Sequence, residues 1–118
     1  MPLPNEPLQS DSFEVTPQDV VAEIDGGKKV RLIDCRTSDE YAITKIDGTI
    51  HMPLHELSSQ LEQLYQYEDE SLVVLCHHGV RSRQAVAILR EVGFPDVRSM
   101  IGGIDRWSRE IDESVQRY

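Results

Sequence analysis

The 118-residue chain carries 12 Lys and Arg against 21 Asp and Glu, a formal net charge of −9, and is long enough for one compact domain but not for two. Its 39% hydrophobic and 28% charged residues are ordinary for a globular protein in water; no apolar run reaches membrane-spanning length, and the acidic balance argues against general nucleic-acid binding. Two cysteines do not make a disulfide scaffold and no basic-then-apolar leader opens the chain, so a reducing cytoplasm is the expected setting.

Residues 1–10 hold three of the six prolines, which predicts an extended arm over residues 1–12 and a single domain over residues 13–118. Phe13, Glu14 and Val15 form a brief strand. Thr16 then caps a helix with Pro17 at its first position and Asp19 near the positive end. Val20, Val21 and Ile24 give that helix its apolar side, and Asp25, Gly26 and Gly27 end it. A second strand follows at Val30, Arg31, Leu32 and Ile33. Thr37 or Ser38 caps a short helix to about Ile43, and a third strand lies near Thr49, Ile50 and His51. Pro53 closes that strand. Leu57, Leu61 and Leu64 are spaced for one face of a helix over residues 54–64. Glu68, Asp69 and Glu70 form a surface loop before a fourth strand at Leu72, Val73, Val74 and Leu75. Ala85, Ile88, Leu89 and Val92 mark one face of a longer helix. Gly93, Phe94 and Pro95 turn the chain into a fifth strand over residues 97–100. A last helix runs from about Ile104 into the tail, with Trp107 packed on the core. Strands alternating with helices predict an α/β fold, a parallel sheet covered on both faces.

The segment joining the fourth strand to the longer helix is Cys76-His77-His78-Gly79-Val80-Arg81-Ser82. In such a turn successive N–H groups can converge as an anion nest, with the helix start adding its positive end. A sulfur at Cys76 sits where that nest would close. The helix dipole contributes only ~0.3–1 kcal/mol to a nearby negative charge, at most about 2. One pKa unit is about 1.4 kcal/mol, so the dipole lowers a thiol by roughly one unit or less. Reactive cysteines fall further, from about 8.5 into the range ~3.5–7.5. The rest has to come from amide hydrogen bonds and cationic neighbours, with Arg81 the obvious cation and His77 and His78 weaker ones. A cysteine ending a strand is more often a small apolar filler; Gly79 and the flanking basic residues favour a thiolate instead. The charge distribution agrees. Residues 1–75 carry 5 basic against 15 acidic residues, and residues 76–118 carry 7 against 6, so the field near the loop is the less negative one.

Cys76 through Ser82 resembles the active-site loop of rhodanese-like domains, C-x-x-G-x-[RT]-S. Asp34-Cys35-Arg36 followed by Glu40-Tyr41 is similar to the family's D-x-R-x-x-x-E-[YF]. Residues 46–54 are similar to I-x-G-A-x-N-I-P, with Lys45, Thr49 and His51 standing where histidine, alanine and asparagine are usual. Met100-Ile101-Gly102-Gly103-Ile104-Asp105-Arg106-Trp107 resembles L-x-G-G-x-x-x-W. The four signatures occur in the family's order and span residues 13 to about 110.

The resemblance implies a three-layer sandwich on a five-stranded parallel sheet; Asp34-Cys35-Arg36, Cys76 to Arg81 and Gly102-Gly103 each follow a strand directly, so all three are expected at the carboxyl edge, where such sheets bind ligands. It also implies sulfur transfer. The loop from Cys76 to Arg81 has six residues, the length of the sulfur-transferring branch, whereas phosphatase and arsenate-reductase relatives carry seven. Cys76 becomes the nucleophile of a double displacement, taking sulfur from a small anionic donor such as thiosulfate and passing it to cyanide, a thiol or a protein. His77, His78, Gly79, Val80, Arg81 and Ser82 surround the bound sulfur, with the loop amides and Arg81 holding its charge. His77 and His78 shape donor access, with proton transfer an open alternative. Ser82 is either the helix cap or a hydrogen-bond donor to Cys76. Asp34 and Arg36 tie loops together through an Arg36–Glu40 pair, and Gly102 and Gly103 permit close backbone approach. Cys35 fills a strand position where valine is common, although it and Cys76 can in principle pair.

No cofactor is implied. A metal site on Cys76, His77, His78, His51 or His55 lacks a second Cys/His pair at finger spacing. A thioredoxin-like role lacks its C-x-x-C. A non-catalytic docking module is the different-class alternative, and such modules often lack the cysteine. Residues 107–115 resemble the end of rhodanese-like domains fused to sulfur-carrier adenylating enzymes, which implies an acceptor in cofactor or thiocarboxylate synthesis.

Overall fold

The apolar runs assemble, in the computed structural model, into one all-parallel sheet of β1 (Glu14–Val15), β2 (Val30–Asp34), β3 (Ile50–His51), β4 (Ser71–Leu75) and β5 (Val97–Met100). The structure describes residues 13–118, and the arm expected over residues 1–12 lies outside them. The spatial order β1-β5-β4-β2-β3 puts β4 at the centre, which is why all five of its residues are buried. Successive strand residues face opposite sides of a sheet, and the core divides accordingly. On one face Ile33, Val74 and Val97 pack with Ala85, Val86 and Leu89 of α3 (Val80–Glu91). On the other, Leu32, Val73, Leu75 and Met100 pack with Val20 of α1 (Pro17–Asp25) and with Ile104 and Trp107 of α4 (Gly103–Glu110). The fold is the α/β sandwich the alternating pattern predicts.

Local chemistry sets the helix starts. The Thr16 hydroxyl accepts from the Asp19 amide at 3.0 Å, and Pro17 opens α1. Thr37, not Ser38, caps α2 (Ser38–Ile43), in a reciprocal box with Glu40.

Several expectations need correction. The apolar spacing over residues 54–64 reads as an α-helix, but the chain there runs as successive 3-10 turns, Leu54–Ser59, Leu61–Gln63 and Tyr65–Tyr67. No side chain caps its start after Pro53, and Leu54, Leu57, Leu61, Leu64 and Tyr67 all reach the core. Steps of three and four satisfy either winding, and docking on the sheet selects the tighter one. Ile24 and Val92 are exposed; Val92 is the C-cap of α3, outside its buried stripe. The first strand omits Phe13. The last helix stops at Glu110 and does not run into the tail. Beyond it the chain folds back, with the Ser108 hydroxyl bonded to the Val115 carbonyl and Val115 buried against Trp107.

Among the described residues, no helix is long and apolar enough to cross a membrane.

Candidate active site

Cys76 follows the last residue of β4, and Gly79 and Ser82 fold the next residues back over it. Gly79 has φ +111°, a left-handed conformation that costs a side-chain-bearing residue strain. That turn aims its amide at Cys76 Sγ, at 3.0 Å. The Ser82 amide, in the first turn of α3, reaches the same sulfur at 3.4 Å. The pair brings α3's positive end onto the sulfur, as the loop pattern suggests.

Cys76 is almost wholly buried, at 1% exposure, and burial alone would raise a thiol's pKa. Its pKa is instead lowered to about 4 by hydrogen bonds from the Cys35 thiol, the Ser82 hydroxyl and the Ser82 and Gly79 amides, which together outweigh burial. Above that value the sulfur is a thiolate, so it is ionised throughout the neutral range.

Cys35 is more than a filler. β2 and β4 pair in register, Ile33 with Val74 and Asp34 with Leu75, and the Cys35 amide donates to the Leu75 carbonyl at 3.0 Å. Cys35 therefore stands beside Cys76 on the same sheet face. Its own pKa is pushed well up, first by its hydrogen bond to Cys76 and then by burial. The opposite directions favour the thiolate on Cys76 and the neutral thiol on Cys35.

Ser82 does not cap the helix; Gly79 occupies that position. The Ser82 hydroxyl lies 3.5 Å from Cys76 Sγ, 3.2 Å from the Gly79 carbonyl and 2.7 Å from the Ser99 hydroxyl. The Ser82 hydroxyl has a single proton, which bonds the Gly79 carbonyl and, with Cys76 ionised, has the sulfur as its other acceptor, a contact that lowers the thiol's pKa. Replacing Ser82 by alanine is expected to raise the Cys76 pKa by about one to two units, the worth of one hydrogen bond to a charged group. Thiolate ultraviolet absorbance followed through an acid titration reads this: loss of the signal near pH 4 in the native protein, and at higher pH in the variant.

Arg81 does not stand free to face the sulfur. Its guanidinium is clamped on both oxygens of Glu40, at 2.5 and 2.9 Å, so most of its charge is already neutralised. That contact holds the Glu40 carboxyl well below the usual range, helped by the Thr37 amide and the Tyr118 hydroxyl. The expected Arg36–Glu40 side-chain pair is not formed. Arg36 binds Asp34 instead, at 2.7 Å, both side chains being fully buried. It also donates to the Glu40 and Thr44 carbonyls and to the Tyr118 hydroxyl. Asp34 and Arg36 thus tie the β2 loop to α2 and to the chain's tail.

Gly102 and Gly103 pack directly against the loop. The Ile104 amide donates to the Cys76 carbonyl at 2.8 Å and the Asp105 amide to the His77 carbonyl at 3.1 Å. A Cβ at Gly103, where φ is +59°, would overlap both carbonyl oxygens. Gly103→Ala is expected to cost roughly 1–3 kcal/mol, read in urea unfolding, because the loop has to move or the residue accept strain.

His77 and His78 lie at the mouth. The His77 ring stacks on Tyr118 at 3.9 Å and Nε2 lies 3.0 Å from the Tyr118 carbonyl. His78 reaches toward Asp105 at 4.0 Å. Ligand atoms of His77, His78 and Asp105 lie within 4.8 Å of one another. Arg109 and Arg117 nevertheless occupy both Asp105 oxygens, and two guanidinium groups oppose a cation there. Val80 is exposed beside the loop. Of the other histidines, His51 stacks on Tyr41 and bonds the Arg36 carbonyl at 2.9 Å.

Three contributors escaped sequence reasoning: Glu40 as the counterion of Arg81, Ser99 and Tyr118. The pairing of Cys35 with Cys76 is open in the sequence, and the register of β2 on β4 gives it weight over the filler reading. Ser99 and Tyr118 reach the site only through the β4–β5 pairing and the folding back of the tail.

A family model described as Rhodanese-like domain matches residues 16–110. Thiosulfate sulfurtransferase GlpE of Haemophilus influenzae is 35% identical over 96 residues, covering 81% of this chain and 88% of that protein. Adenylyltransferase and sulfurtransferase UBA4 of Candida albicans is 31% identical over 114 residues; they cover 92% of this chain, but this chain spans only 26% of that protein's length. Among solved structures, a rhodanese-related protein from Thermoplasma volcanium superposes with a TM-score of 0.74 at 27% identity, covering 84% of this chain and 93% of that one. With the loop geometry, the matched residues and the superposed fold in agreement, the chain belongs to the rhodanese-like domain family.

Proposed function

We propose that this chain is a sulfurtransferase acting in the cytoplasm, which carries a sulfane sulfur on Cys76. The observation that carries the reading is a buried sulfur held as thiolate by two loop amides at the start of α3. A nucleophile ionised at neutral pH needs no separate base. Cys76 Sγ attacks the outer sulfur of an anionic donor such as thiosulfate; the S–S bond of the donor breaks, sulfite leaves, and Cys76 carries a persulfide. An acceptor nucleophile, whether cyanide, a thiol or a protein, then takes the terminal sulfur and restores the thiolate.

In this reading Gly79 and Ser82 stabilise the charge on sulfur, and His77, His78 and Val80 frame the donor's approach. Arg81 acts with Glu40 as a brace between the loop and α2, not as a lone cation. The six-residue loop from Cys76 to Arg81 favours a sulfur over the larger tetrahedral oxyanion of a phosphatase. The names of GlpE and UBA4 support sulfur transfer.

Mixing the reduced protein with thiosulfate and no acceptor tests the proposal. One sulfite released per chain is expected, whatever becomes of the bound sulfur. Absence of that burst overturns the reading, and release of phosphate from an aryl phosphate in its place would favour the phosphatase relatives.

A further inference from the structure

The cysteine pair goes beyond what sulfur uptake requires. One nucleophile suffices to form a persulfide, yet a second thiol stands next to it. Extending the β2–β4 register by one residue past Asp34 and Leu75 sets Cys35 opposite Cys76. Neighbouring strands lie about 4.7–4.9 Å apart, inside the ~4.4–6.8 Å Cα separation that a disulfide spans. Both side chains belong to the same core cluster, so the two cysteines lie on one face of the sheet. Both cysteines are free of any disulfide and almost fully buried, at 2% and 1% exposure. An outside acceptor has to find its way in, whereas Cys35 is already in place.

We propose that Cys35 is a resolving thiol, which attacks the sulfur of Cys76 once that residue carries a sulfane sulfur, forming a Cys35–Cys76 disulfide and releasing the terminal sulfur as hydrosulfide. This rests on the persulfide reading above and gives the domain a further activity, reductive release of sulfide. The step balances. The persulfide S–S bond breaks and a Cys35–Cys76 bond forms. The two cysteines lose two electrons, and the sulfane sulfur gains them. The proton of Cys35 leaves with the hydrosulfide, and a thiol reductant, monothiol or dithiol, returns the pair to its starting state.

Electrostatics supply the proton at the right moment. In the resting site Cys35 keeps its proton because it donates to the Cys76 thiolate. Persulfide formation moves the negative charge outward to the terminal sulfur. The Cys35 proton then loses the anion that held it, and the departing sulfur becomes its acceptor. Cys35 reaches Cys76 from β2, whereas the Gly79 and Ser82 amides reach its Sγ from the loop, so the amides and the second cysteine belong to different elements.

The test mixes reduced full-length protein with thiosulfate, without oxygen and without any other thiol, and measures sulfite, sulfide and intact mass. The expected result is one sulfide for each sulfite, a protein lighter by two hydrogens, and a digest peptide linking Cys35 to Cys76. Cys35→Ser, which keeps a hydroxyl donor beside Cys76, is expected to retain one added sulfur and release no sulfide. Sulfite with an added sulfur that persists in the native protein overturns the resolving role and leaves the persulfide reading intact. Sulfide from Cys35→Ser at the native yield overturns it as well. No sulfite from the native protein overturns both.

Discussion

Substituting Cys76 by serine will eliminate the sulfite burst while leaving the fold in place. A hydroxyl is not ionised at neutral pH, and no base bonds this position to take its proton: among the described residues, the hydrogen-bond partners of Cys76 Sγ are the amides of Gly79 and Ser82, the Ser82 hydroxyl and the Cys35 thiol. All of these stabilise an anion once formed; none generates one. A covalent catalyst that loses its nucleophile loses on the order of 10⁶ in rate, and a single-turnover sulfite assay should fall to background. The same amides can bond a serine oxygen, so the urea midpoint of Cys76→Ser should stay near that of the native protein. Sulfite release at the native rate from the variant would remove Cys76 from the chemistry.

Arg36→Leu will be the most destabilising of the single substitutions considered. Arg36 is the largest fully buried side chain, and it neutralises Asp34, itself completely enclosed. Its remaining N–H groups serve the Glu40 and Thr44 carbonyls and the Tyr118 hydroxyl. Leucine strands a buried carboxylate and several acceptors together. Removing one partner of a buried ion pair costs about 3–5 kcal/mol, a large share of the ~5–15 kcal/mol that holds a domain of this size. Equilibrium urea unfolding measures it. The double variant Asp34→Asn with Arg36→Leu should recover part of the loss, because no unpaired charge remains; an equal or greater loss in the double variant would show that the carbonyl contacts matter more than the ion pair.

The alternation of strand and helix, the cap at Thr16, the glycine turn and the cysteine at the end of a buried strand were legible because each is local. A capping hydroxyl three residues from its amide, or a β-branched run ending in a loop, acts over a few residues and leaves its mark in adjacent letters. The winding of residues 54–64 was not legible. Leu57, Leu61 and Leu64 fit an α-helix and a run of 3-10 turns equally, and the sheet beneath them makes the choice.

The primary structure by itself determined the fold class and the loop that carries Cys76, since periodicity and turn chemistry are properties of neighbouring residues. Only the tertiary structure decided who meets whom there. Glu40 takes the charge of Arg81 across 41 positions, Ser99 reaches Ser82 across 17, and Cys35 comes to Cys76 through the β2–β4 register. Such pairings follow from strand order, which no short window of sequence contains, and in a buried site of low polarisability they set which sulfur is charged and which keeps the proton.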